Sequence, residues 1–294
     1  MRNVFSTSLR MVLLAAAVWT LGTVSCTPMP PEIVAVDSGV NVNPDMVIPI
    51  TTTELRFGNF VTGAGPVDLC IKGAQDPDFV GPLMRNMASR PGGVPYLNVG
   101  MYLTLKAGSY TVKAVPGIRT DCTVSYGGLK DLVLPPLGGG RTYTLIPFGD
   151  QNRPTTVKIN LFEDDRTAQG GQARMRFLNV SPDVPTADFG FGTGASYKAL
   201  LSDALSGDLG RASGMTILTI APQTGSSASV RPSGMTTDLL TVNSTINIPA
   251  GAVITSFIAG LPSRASTDPL SLKLIFCDDS KPAQSGLSIC TQLN

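Results

Sequence analysis

From residue 51 onward, short apolar runs are separated by Gly, Pro and Asn turns. Within most runs apolar and polar positions alternate with a period near two, the signature of half-buried strands. Examples are Glu54–Val61, Tyr96–Leu105, Ser109–Val115, Thr142–Pro147 and Thr156–Phe162. Later come Ala173–Val180, Thr216–Ile220, Ser244–Ile248, Ala252–Ala259 and Leu270–Phe276. These runs are rich in Val, Ile, Thr, Tyr and Phe, which fit a pleated, half-buried surface. Many short strands with frequent turn signals predict an all-β fold of antiparallel sandwiches. No stretch carries long helical periodicity. A single helical turn is expected at Leu83–Ser89 or Ala199–Leu205.

The chain also repeats itself. A shift of 120 residues lays Leu55-Arg56-Phe57-Gly58-Asn59 on Met175-Arg176-Phe177-Leu178-Asn179, and Asp68-Leu69 on Asp188-Phe189. Leu103–Val115 loosely matches Leu218–Arg231, each reading as strand, Gly turn and strand, that is, a hairpin. Two copies of this size suit two tandem sandwich domains, at residues 51–165 and 172–294. The charged, then Gly-rich segment Glu163–Gly171 is the expected boundary. Ser181-Pro182-Asp183 has turn chemistry. Asp68 and Asp188 open strands, where a carboxylate accepts loop N–H groups.

The first 25 residues stand apart from this pattern. Arg2 and Arg10 precede an uncharged apolar stretch, Met11–Gly22. It is shorter than the about 20 residues a spanning helix needs and has the layout of a secretory signal peptide. The Ser25-Cys26 that follows resembles the lipobox of bacterial lipoproteins, with Thr23 where that family prefers Leu. The resemblance implies lipidation at Cys26. Residues 26–50 then hold that Cys and a Pro-rich tether. The expected location is outside the cytoplasm, lipid-anchored, at the outer membrane facing the periplasm or the cell surface.

Cysteine use agrees with export. If Cys26 is lipidated, Cys70, Cys122, Cys277 and Cys290 remain, an even number that predicts disulfides. Four cysteines allow three connectivities. Cys70–Cys122 and Cys277–Cys290 are favoured because each pair falls within one domain.

Composition removes much chemistry. The chain has no histidine, so no Ser-His-Asp or Cys-His nucleophile, His-ligated zinc or His base can form. A formal net charge of +1 argues against nucleic acid as a partner. Loss of Arg2 and Arg10 with the leader makes it −1. Glycoside hydrolysis could run on two carboxylates, and Asp76/Asp78, Glu163/Asp164/Asp165 and Asp278/Asp279 are the candidates. All lie in expected loops or boundaries and read as solvated loop charge. None has the spacing of a calcium loop. No S-x-x-K pair occurs, and Gly138-Gly139-Gly140 lacks the Lys-Ser/Thr of a phosphate loop and precedes a strand. No catalytic, cofactor or metal residue is expected.

Ala173–Gly192 (ARMRFLNVSPDVPTADFGFG) resembles the opening of the bacterial domain-of-unknown-function family 4397: strand, Ser-Pro-Asp-x-Pro, then a strand starting with Asp. Met101–Val115 (MYLTLKAGSYTVKAV) resembles a later signature of that family. The family often has His where this chain has Asn179, and the first copy replaces Ser-Pro-Asp with Val61-Thr62-Gly63. The resemblance implies an exported immunoglobulin-like module and carries over no site. The expectation is therefore a non-catalytic envelope lipoprotein that binds or braces protein or glycan partners. A carboxylate-dependent glycan hydrolase and an assembly component of a surface fibre are the alternatives.

Overall fold

A computed structural model describes residues 51–85, 92–284 and 286–293. The leader, Cys26 and the Pro-rich segment lie outside the described residues. The described residues form one compact unit, and the strands counted below are those found among them.

Eight strands make the first half: β1 (Thr52–Thr62), β2 (Val67–Gly73), β3 (Asn98–Val99), β4 (Leu103–Lys106), β5 (Tyr110–Pro116), β6 (Leu132–Val133), β7 (Thr142–Asp150) and β8 (Arg153–Asp164). An inner sheet runs β3-β1-β7-β8, with β4 also on β1, and an outer sheet runs β2-β5-β6. Ten strands make the second half: β9 (Ala173–Asn179), β10 (Thr186–Phe191), β11 (Lys198–Leu205), β12 (Asp208–Leu209), β13 (Leu218–Ile220), β14 (Gln223–Pro232), β15 (Leu240–Ile248), β16 (Val253–Ala259), β17 (Lys273–Asp278) and β18 (Cys290–Leu293). The inner sheet here is β12-β9-β16-β17-β18, with β13 also on β9, and the outer sheet is β11-β10-β14-β15.

The two halves share one strand plan. β1 pairs in parallel with β7, and β9 pairs in parallel with β16; the other strand pairs are antiparallel. The repeat read at a spacing of 120 residues thus places β1 and β9 at equivalent positions.

Each half has its own core. Leu55, Phe57, Leu69 and Leu145 belong to the first, and Phe177, Phe189, Val230 and Leu274 to the second. A third core lies between the inner sheets, where Phe60, Phe148 and Phe162 meet Leu178, Phe257 and Ile275. The Phe60 and Phe257 rings stack with centroids 4.6 Å apart. The inner sheets therefore have both faces covered. Strands buried on both sides need apolar residues at nearly every position, which is why Val253–Ala259 is buried throughout.

Disulfides join Cys70 to Cys122 and Cys277 to Cys290. Such bonds form and persist in oxidising compartments, as in exported proteins.

Three sequence expectations change. The segments taken as hairpins are arches between sheets: β4 pairs with β1 whereas β5 pairs with β2, and β13 pairs with β9 whereas β14 pairs with β10. The first chain crosses at Gly108, whose φ of +154° suits glycine. Ala199–Leu205 is strand, not helix. Asp203 at φ +57° interrupts the strand period there, so buried Leu201 and Ala204 come three residues apart, a helix-like spacing. Leu83–Arg85 is a turn, and the rest of that expected helix lies outside the described residues. Finally, Asp164, Asp278 and Asp279 are buried rather than solvated.

Candidate functional site

Strand alternation places the central feature. In β1, Leu55 and Phe57 enter the first core, so Arg56 between them points the other way, toward the second half. In β9, Met175 and Phe177 enter the second core, and Arg176 points back toward the first half. Parallel pairing then sets a threonine beside each arginine: Thr144 opposite Arg56 and Thr255 opposite Arg176.

The arginines cross over to the opposite halves. Arg56 Nη1 and Nη2 donate to Asp279 Oδ1 and Oδ2 at 2.5 and 2.9 Å. Arg176 Nη2 donates to Asp164 Oδ1 at 2.5 Å. Each Nε donates to its neighbouring threonine Oγ1 at 2.8 Å. Each threonine then donates to the opposite arginine's acid: Thr144 to Asp164 and Thr255 to Asp279, both at 2.5 Å. The result is a closed ring, Arg56–Thr144–Asp164–Arg176–Thr255–Asp279, with every side chain buried. Planar guanidinium suits this role because its fixed donors serve two acceptors at once.

Tyr102 breaks the approximate two-fold relation. Its hydroxyl donates to Asp164 Oδ2 at 2.6 Å. Its ring lies between the guanidinium groups of Arg56 and Arg166, at 4.6 and 4.5 Å. A cavity of about 150 Å³ opens beside it, lined by Glu54, Arg166 and Lys281 among others. Burial pushes the Tyr102 hydroxyl well above its ordinary range. Burial disfavours the Asp164 carboxylate, yet Arg176 and Arg56 outweigh it and hold the carboxyl below its usual value. Burial likewise disfavours the Arg56 cation, and Asp279 and Asp164 more than compensate.

Two asparagines brace the ends of the same strands. Asn59 Nδ2 donates to the carbonyls of Gly65 and Val94, each at 3.0 Å. Asn179 Nδ2 donates to those of Val184 and Ala204 at 2.7 and 3.0 Å. Asp68 accepts from Leu69, Met84 and Arg85 backbone N–H groups, and Asp188 from Asp203 N–H and the Ser233 hydroxyl.

The candidate carboxylates are dispersed among separate tasks. Asp76 and Asp78 are exposed, and Asp76 Oδ2 accepts the Gly73 N–H. Glu163 pairs with Arg141 on the surface at 2.6 Å. Asp165 pairs with Arg174, whose hydrogen bond draws its carboxyl below the usual range. Asp278 pairs with Lys281 at 2.7 Å. Only Asp164 and Asp279 meet, through the ring. Arg56, Arg176, Thr144, Thr255 and Tyr102 are the central residues that sequence reasoning passed over. An arginine between two apolar residues, Leu55-Arg56-Phe57 and Met175-Arg176-Phe177, at the same place in both copies, was the signal available.

A glycosidic acid must hold its proton near working pH, which calls for a raised carboxyl value. The ring does the reverse. Its chemistry is that of a buried electrostatic joint.

Residues 53–190 match the family model described as domain of unknown function, DUF4397. The matched segment runs from β1 into β10 and so includes both arginines of the ring. No curated protein matches the chain. A likeness to a solved structure, the Bacillus anthracis TIE protein, has 9% identity and a TM-score of 0.20. It covers 83% of this chain and 44% of that one, so the chain spans under half the length of that protein.

Proposed function

We propose that this chain, which carries a domain of unknown function of family DUF4397, is a non-catalytic module of the bacterial cell envelope. It binds or braces protein or glycan partners and is held to the membrane by lipid on Cys26. The observation that carries the non-catalytic reading is the engagement of Asp164. Two guanidinium groups, a threonine and a tyrosine hold it as a carboxylate, opposite to what a general acid needs. Export is supported by the two disulfides and by the leader. Anchoring is supported by the lipobox-like Ser25-Cys26.

Two measurements test this. Cys26→Ala is expected to move the protein from membrane to soluble fractions, and unchanged fractionation overturns anchoring. Purified protein is expected to leave envelope glycans intact by mass spectrometry. Cleavage by the wild type that disappears in Asp76→Asn/Asp78→Asn/Asp165→Asn overturns the non-catalytic reading. Asp164 is left intact because its loss would unfold the joint.

A further inference from the structure

The two halves differ in how one lateral edge is closed. In the second half, β18 lies antiparallel along the outer edge of β17, pairing Leu274 with Leu293 and Cys277 with Cys290. Leu293 packs against the second core. What remains of the groove between β15 and β17 is a cavity of about 260 Å³, lined in part by Thr291 and Leu293 of β18. In the first half, β8 occupies the position of β17. Among the described residues no strand pairs with its outer edge. Beside it run two cavities of about 620 and 390 Å³ that share Leu132 and Ile159. They form one groove between β6 and β8, bounded at one end by the turn Leu205–Asp208, where Asn160 Nδ2 donates to the Gly207 carbonyl at 2.5 Å.

We propose that this open edge of β8 receives an extended peptide strand of a partner protein, with apolar side chains at alternate positions and carboxylates between them. The inference rests on the binding-module reading and specifies its partner. An unpaired strand edge offers a row of N–H and C=O groups that a strand satisfies without distortion. The second half shows the occupant that such an edge takes, a short antiparallel strand with an anchoring Leu. The groove suits apolar anchors: Val157, Ile159 and Leu161 are only partly buried, and Val133 on the facing strand is 71% exposed. Charge selects the acidic character. Lys158 and Lys130 line the groove, are exposed and have no ion-pair partner among the described residues, whereas Asp131 pairs with Lys113 at 3.7 Å.

The test uses the chain from Cys26 onward with Cys26→Ser, and a blocked nonapeptide of alternating valine and glutamate as probe. Hydrogen exchange is expected to slow about tenfold or more on backbone amides within residues 155–161. Affinity is expected to fall about tenfold in Lys130→Glu/Lys158→Glu, a surface pair whose change leaves the fold intact. A peptide N-methylated at alternate residues is expected to lose binding, because it cannot complete the ladder. Equal binding of a control nonapeptide of alternating valine and lysine, protection away from β8, or no binding of the valine–glutamate peptide at about 1 mM each overturns the proposal. So does a dimer of the chain formed through residues 155–161 without peptide, which would make a second copy the occupant. None of these outcomes touches the glycan-cleavage assay on which the non-catalytic reading stands.

Discussion

The two halves agree in the strands that hold the ring and diverge in their bridges and lateral edges. Both inner sheets carry an arginine, a threonine and an asparagine at matching places, and each supplies the acid for the other's arginine. Their bridges and edges differ. One disulfide ties β2 to a loop across a sequence separation of 52, while the other ties adjacent strands across 13. One lateral edge is capped by β18, and the other is open. The shared features are those that tolerate no independent change: a buried charge needs its partner, and the partner belongs to the other half.

The sharpest way to break this comparison is to remove one acid of the ring. Asp279→Ala leaves Arg56 buried without its bidentate partner, with Asp164 at 3.8 Å as the nearest remaining carboxylate, and breaking a buried pair costs about 3–5 kcal/mol. Asp164→Ala is expected to cost at least as much, since Tyr102 also loses its acceptor. Urea unfolding measures both, and a cost below about 1 kcal/mol for either would refute the joint. The double change Arg56→Met/Asp279→Leu is expected to recover most of the loss, because apolar replacement of a whole buried pair is often neutral or stabilising.

The bridges test the divergent features. Chain entropy assigns about 4 kcal/mol to the longer loop and about 3 kcal/mol to the shorter. Thermal unfolding of Cys70→Ala/Cys122→Ala is therefore expected to show the larger loss, and a reversed order would show that β18 docking, not loop closure, dominates.

Smaller effects come from the braces. Asn59→Ala removes the donor to the exposed Gly65 carbonyl and to the Val94 carbonyl, which keeps the Val67 N–H, and Asn179→Ala removes the donor to Val184 and Ala204. With two hydrogen bonds lost, each variant is expected to cost about 1–3 kcal/mol. Similar costs would confirm that the braces are equivalent, and a difference above twofold would separate the halves.

The smallest effect is acid sensitivity. The folded Asp164 carboxyl lies below its unfolded value of about 3.9. Its contribution is present above that value and is lost as pH falls through the lower folded one. Stability from pH 7 to 5 is thus expected to be flat with respect to this group, with loss below about pH 4. Asp164→Asn should flatten that acid limb, and an unchanged limb would assign acid unfolding to other groups.

Much of this fold is legible in the residues, for reasons that also mark where legibility stops. Alternation exposes β7 and β8, and the repeated Leu-Arg-Phe and Met-Arg-Phe mark β1 and β9. Sheet membership does not show, because an arch and a hairpin use the same strand–glycine–strand pattern. The Gly108 crossing is the example. The arginines are visible as interruptions of apolar runs, but their partners are not. Arg56 and Asp279 lie 223 residues apart, and only the packing of the inner sheets unites them. In sequence the acids read as solvated because they sit beside turns, whereas in space the second half's Arg176 covers Asp164 and the first half's Arg56 covers Asp279.

The closed ring also bears on how such a chain could change over generations. A substitution at Arg56 would leave Asp279 without its bidentate partner, and one at Arg176 would take a guanidinium from Asp164. Neither copy is free to drift, to be lost or to be exchanged for a third without stranding a charge in the interior. The two copies of the motif are thereby joined into a single piece, since the charge of each is balanced only inside the other.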